Sequence, residues 1–121
     1  MPRAARASRA RSRYVRPMLT WMLVSAAFAA DPAVGKVLYA ASCTACHGTV
    51  GNGKGPAAVA LKPKPTDFTA AAYWAGKTDA QVATAIRAGR PGTSMSSFTE
   101  LSDADVADLV AYLRSFSATA P

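Results

Sequence analysis

A chain of 121 residues holds 14 Lys+Arg against 7 Asp+Glu, one His and two Cys, for a formal net charge of +7. That length allows one domain and excludes a two-domain enzyme, while two cysteines exclude a disulfide-dense miniprotein. Half of the residues are hydrophobic, but 28 are alanine and only 8% of the chain is aromatic, so bulky core side chains are scarce.

The charge is not spread evenly. Arg3, Arg6, Arg9, Arg11, Arg13 and Arg16 come first, with no acid among them, and an apolar run from Met18 to Ala30 follows. A basic start, a short apolar stretch and the small-residue exit Ala27-Phe28-Ala29 read as a secretory signal peptide over residues 1–29, cleaved after Ala29. The alternative, an uncleaved membrane anchor, wants about 20 apolar residues, more than this run supplies. No Arg-Arg pair supports a twin-arginine route. Without residues 1–29 the chain is close to neutral, and the case for a nucleic-acid partner disappears with the arginines. The remaining domain, residues 30–121, is of a size that often relies on a disulfide, metal or cofactor to complete its interior.

Asp31 followed by Pro32 predicts a helix start, with aspartate as N-cap and proline at the first helical position. Val34, Val37, Leu38 and Ala41 recur at helical spacing up to Cys43. There the chain reads Cys43-Thr44-Ala45-Cys46-His47, and C-x-x-C-H is the attachment signature of a c-type haem. Two thiols separated by two residues at a helix end reach one porphyrin edge, and the adjacent imidazole reaches the iron. A thioredoxin-like motif would need a βαβ context that is missing. A structural zinc site would need four ligands from a chain with three Cys and His in all. A plain disulfide leaves His47 without a role.

From Thr44 to Asp67 the chain is rich in Gly, Pro and Lys and reads as a long loop, with a helical turn at Ala57–Leu61. Thr78-Asp79-Ala80-Gln81 has the form of a capping box, Val82 and Ile86 share the face behind it, and Gly89 stands where a left-handed C-cap ends that helix. Beyond Pro91, Met95 lies in a loop of small hydroxylated residues. Met1, Met18 and Met22 fall in the expected signal peptide, so Met95 is the one methionine left for the domain. Methionine is usually core filler, but with the only histidine already used, Met95 is the candidate second axial ligand, completing a His/Met pair. Ser102 predicts the cap of the last helix, with Asp103 and Asp105 in its first turn and a Leu101–Val106 staple. Val106, Leu109, Val110, Leu113 and Phe116 form its apolar stripe. No segment alternates with period two, so the predicted fold class is all-α.

On these residues, 32–116 resemble a class I cytochrome c of the short bacterial monohaem type, similar to the haem domains of cbb3-type oxidase subunits. Gly35 and Tyr39 before Cys43, and Leu109 and Tyr112 on the last helix, match the positions where that family crosses its N- and C-terminal helices. The resemblance implies a small cytochrome c fold of three to four helices around one haem c, covalent through Cys43 and Cys46, with His47 and Met95 on the iron. It also implies that a proline carbonyl in the loop after His47 accepts its Nδ1 proton, and Pro56 and Pro63 are both candidates. The family commonly has proline after the ligand methionine, where this chain has Ser96. Tyr73 or Trp74 is a candidate to border the haem or bond a propionate, with ordinary core packing as the alternative, and Arg90 faces a propionate or solvent.

Iron held on both sides by protein leaves no position for a substrate. The expected function is therefore a periplasmic one-electron carrier, monomeric and not an enzyme, with no catalytic residues, small-molecule substrate or nucleic-acid partner. Its partners are a donor and an acceptor redox protein. Cations crowd residues 54–90 and acids crowd residues 100–108, and Lys54, Lys62 and Lys64 are the candidates to steer the haem edge toward an acidic partner. Two alternatives are a haem-c subunit dedicated to a periplasmic dehydrogenase or oxidase complex, and a ligand-binding or peroxidatic haem protein.

Overall fold

The computed structural model describes Ala4 and residues 29–118, so the expected signal peptide lies almost wholly outside the described residues. The chain forms α1 (Pro32–Ser42), α2 (Thr44–His47), α3 (Ala71–Trp74), α4 (Asp79–Ala88) and α5 (Asp103–Ala118), with a 3-10 turn at Ala58–Ala60. There is no strand among the described residues, and none of their helices is long and apolar enough to cross a membrane.

The three long helices start as their caps predict. The Asp31 carboxylate accepts from the Ala33 N–H at 2.9 Å, and the Asp31 N–H donates to Asp108 Oδ1 at 2.7 Å, tying the start of α1 to α5. Thr78 and Gln81 close the capping box of α4 in both directions. Ser102 Oγ accepts from the Asp105 N–H at 3.1 Å while Asp105 accepts from the Ser102 N–H at 3.2 Å. Asp105 is thus a capping partner as well as a charge near the helix dipole.

α1 and α5 make the most extensive helix pair. Their crossing depends on Gly35, where a Cβ would lie 2.1 Å from the Asp108 carbonyl oxygen and 2.8 Å from Tyr112 Cβ. Only a residue without a side chain lets the two backbones approach so closely. Around the crossing, Tyr39, Tyr112 and Phe116 pack edge to face, with centroids 4.9 to 5.3 Å apart. The predicted stripe of α5 is buried together with Tyr39, Phe68, Val82 and Ile86. Each such side chain contributes about 1.5–3 kcal/mol on leaving water.

Two short helices depart from the expectation of three to four. The long loop begins with a helical turn, α2, which carries Cys46 and His47. α3 has no side-chain cap and was not foreseen in the sequence pattern. It is held from outside: the Trp74 indole N–H donates to the Phe68 carbonyl at 2.8 Å, and the Arg114 guanidinium of α5 lies 4.7 Å from the Trp74 ring centroid. Arg114 also pairs with Asp79 and donates to the Lys77 carbonyl at 3.1 Å. A one-turn helix lacks the length to stabilise itself, so tertiary contacts decide its existence.

Candidate haem site

α2 ends at His47, and its carbonyl end is closed by the loop that follows. The N–H groups of Gly53, Gly55 and Ala57 donate to the carbonyls of His47, Cys46 and Ala45 at 2.8, 3.0 and 2.9 Å. The loop therefore runs back along the Cys-x-x-Cys-His turn before it swings past the imidazole. That path decides the partner of His47. Its Nδ1 lies 3.1 Å from the Thr66 carbonyl oxygen, so the expectation of Pro56 or Pro63 is corrected to Thr66. Pro56 sits between Gly55 and Ala57, at the carbonyl end of α2. Pro63 borders the cleft beside His47 without supplying the carbonyl.

A carbonyl only accepts, so Nδ1 carries the proton and Nε2 keeps its lone pair. Burial pushes the His47 pKa down, and the bond to Thr66 pulls it back more weakly. The larger effect, burial, favours a neutral imidazole, and the bond to Thr66 orients it. The Phe68 ring stacks on it, centroids 4.7 Å apart and planes 27° apart. Phe68 is itself anchored, its N–H donating to the Gly51 carbonyl at 2.7 Å. Tyr39 braces the same turn from below, donating to the Gly48 carbonyl at 2.6 Å.

Cys43 and Cys46 are free, half-buried thiols. Burial first, and the neighbouring Cys46 second, push the Cys43 thiol up to about 11. Both line an open cleft of about 130 Å³ whose other walls include His47, Pro63, Met95 and Phe98. An adjoining cleft of about 100 Å³ shares His47, Pro63, Thr93 and Met95 and is bordered by Phe68, Tyr73 and Arg90. The four predicted site residues, Cys43, Cys46, His47 and Met95, thus come together on one cleft. Tyr73 and Arg90 face the second, whereas Trp74 gives its N–H to Phe68.

The lysines separate. Lys54, Lys62 and Lys64 are all exposed, and Lys64 Nζ, alone of the three among the described residues, also donates to backbone, to the Ala58 and Val59 carbonyls at 3.1 and 3.3 Å at the 3-10 turn. Sequence reasoning missed Thr66, Phe68 and Thr93. Phe68 had one legible signal, an aromatic residue standing alone among Pro, Thr and Asp in a loop.

Two thiols, an imidazole and a thioether around one slot in an all-α domain are the donor set of a c-type haem protein. Residues 32–117 match the family model for cytochrome c, and the chain belongs to that family. It is a class I monohaem cytochrome c, an electron-carrier haem protein, and the family carries its haem covalently. The chain is 36% identical over 88 residues to cytochrome c6 of Picosynechococcus sp., covering 72% of this chain and 74% of that one. Among solved structures it resembles a chain of the Kuenenia stuttgartiensis reducing HAO-like protein complex Kustc0457/Kustc0458, with TM-score 0.61 and 29% identity. That match covers 69% of this chain but only 41% of the other. It also resembles the KustC0563 c-type cytochrome, with TM-score 0.56 and 29% identity over 68% of this chain and 95% of that one.

Proposed function

We propose that this protein is a periplasmic one-electron carrier, with haem c bound covalently through Cys43 and Cys46 and the iron held between His47 and Met95. The observation that carries the reading is the convergence of these four side chains on one cleft, with His47 and Met95 shared by the adjoining one. Haem, when bound, supplies an iron that gains or loses one electron without any change in its covalent partners. The thiols of Cys43 and Cys46 would hold the group through thioether bonds, which would keep it from being lost outside the cytoplasm. His47 Nε2 is presented by the Thr66 bond and the Phe68 ring. Met95 provides a softer ligand that favours the reduced iron and raises the potential relative to two imidazoles. With His47 and Met95 both holding the iron, the chain would leave oxygen, peroxide and water no place on it, and would act as a carrier rather than an enzyme.

Optical spectra of the purified holoprotein test this reading. Expected are a far-red band in the ferric protein, its loss in Met95→Ala, and no shift of the ferrous spectrum with carbon monoxide. A prompt carbon monoxide shift in a wild type that lacks the band overturns it in favour of a ligand-binding haem protein. Export is tested by the mature N-terminus, expected at Ala30 in the periplasmic fraction. A membrane-bound chain that keeps residues 1–29 overturns it.

The likeness to a chain of the Kuenenia stuttgartiensis complex favours a second reading, a haem subunit dedicated to one redox enzyme. Stoichiometric co-purification with such an enzyme at native abundance selects it over the free carrier. In either case Lys62, exposed beside the cleft residue Pro63, steers an acidic partner. Association slows as salt rises, and Lys62→Glu slows it further at low salt. Rates independent of salt exclude the steering.

A further inference from the structure

Met95 sits near the tip of the loop between α4 and α5, and both polar groups of its backbone are tied. Its carbonyl accepts from the Arg90 N–H at 3.3 Å. Its N–H donates to Thr93 Oγ1 at 3.2 Å. The Thr93 hydroxyl donates in turn to the Arg90 carbonyl at 2.7 Å, which also receives the Thr93 N–H at 3.1 Å. One oxygen thus accepts from Met95 and donates to Arg90, bridging the end of α4 to the backbone that carries the thioether. Gly89 closes the loop from the other side. At φ +68, a Cβ there would lie 2.7 Å from the Met95 carbonyl oxygen and 2.9 Å from the Ser96 carbonyl carbon. Ser96 leaves the backbone after Met95 without the fixed φ that a proline would impose.

We infer that Thr93 is a positioning residue for Met95, its hydroxyl latching the loop so that the thioether stays in the cleft. The inference rests on the His47/Met95 reading proposed above. The latch needs a donor and an acceptor on one atom, which serine supplies and valine does not.

Thr93→Val and Thr93→Ser holoproteins test it, titrated in the ferric state with imidazole as a competitor for the position held by Met95. Thr93→Val binds imidazole about tenfold more tightly than wild type, the effect of losing about one net hydrogen bond, and its far-red band weakens. Thr93→Ser keeps wild-type behaviour. Equal imidazole affinity in Thr93→Val and wild type overturns the latch, as does a Thr93→Ser protein that behaves like Thr93→Val. Should Thr93→Val fail to assemble, amide exchange in the wild-type ferrous holoprotein decides. The Met95 N–H exchanges at least about tenfold slower than an unprotected amide if the bond exists, and a Met95 N–H exchanging at the unprotected rate overturns the inference. Met95→Ala, run alongside, separates the two layers. A far-red band that survives Met95→Ala defeats the ligand reading and the latch together. A band that depends on Met95 but is untouched in Thr93→Val, with unchanged imidazole affinity, defeats the latch alone.

Discussion

The His47 wall and the Met95 wall of the cleft are built differently. On the His47 wall the functional side chain itself is held. Thr66 takes its Nδ1 proton and Phe68 stacks on its ring. Phe68 is fixed by Gly51 and Trp74, and Trp74 is clamped by Arg114. On the Met95 wall the bonds reach only the backbone, through Thr93 and Arg90. A flexible thioether is aimed by the loop beneath it, whereas a rigid ring is aimed directly. The comparison teaches that disturbance of the first wall should appear chiefly as lost stability, and disturbance of the second as altered ligation.

The strongest way to break this contrast is Phe68→Ala. It removes a buried aromatic and the face that supports His47, and should lower the unfolding free energy of the holoprotein by about 3–5 kcal/mol, measured by denaturant titration. A loss below about 1 kcal/mol would mean that the stack is incidental. Next is Gly89→Ala on the opposite wall, which introduces a Cβ against the Met95 backbone at a positive φ. It should cost about 1–3 kcal/mol, and, unlike Phe68→Ala, weaken the far-red band more than its stability loss predicts. A variant with wild-type stability and an unchanged band denies that Gly89 shapes this loop.

Tyr39→Phe sharpens the comparison through pH. It removes the bond to the Gly48 carbonyl and should cost about 1–2 kcal/mol near neutrality. Burial first, and nearby Cys43 and Tyr112 second, raise the Tyr39 pKa. The unfolded chain therefore loses this proton first, above about pH 10, and the stability tied to the neutral phenol falls as pH rises from there. The gap between wild type and Tyr39→Phe should narrow between pH 9 and 12 in thermal melts, and a constant gap contradicts the assignment. The smallest effect belongs to Arg87→Ala, which removes a surface pair with Asp103 between α4 and α5. Exposed pairs contribute little, so melting temperature and far-red band should both stay within experimental error of wild type.

Much of the frame was legible residue by residue. Asp31, Thr78 and Ser102 announce their helices because capping is a local negotiation between a short polar side chain and the next few N–H groups. Gly35 and Tyr39 were readable through family resemblance; the close approach at Asp108 supplies the physical reason for Gly35, and packing on Tyr112 and Phe116 that for Tyr39. α3 was not legible, because a single uncapped turn depends on Phe68 and Arg114, residues that local pattern does not connect with it. The sequence reads Lys64 as a surface charge only, and it does not announce that its ammonium also bonds carbonyls six and five residues earlier in the chain.

The same division runs through the site. By itself the sequence supplied the proposed donor set: two thiols and an imidazole bound into one pentapeptide, and Met95 as the one methionine of residues 30–121. Spacing along a helix end is a covalent fact and survives any packing. Which carbonyl turns the imidazole, which ring supports it and which hydroxyl latches the methionine loop were decided only in three dimensions. His47 and Thr66 are 19 residues apart, and what brings them together is the ladder from Gly53, Gly55 and Ala57 to the end of α2. A glycine- and proline-rich loop carries no hydrophobic period from which such a path could be read. Its course is set by the hydrogen bonds that satisfy the carbonyls at the end of α2.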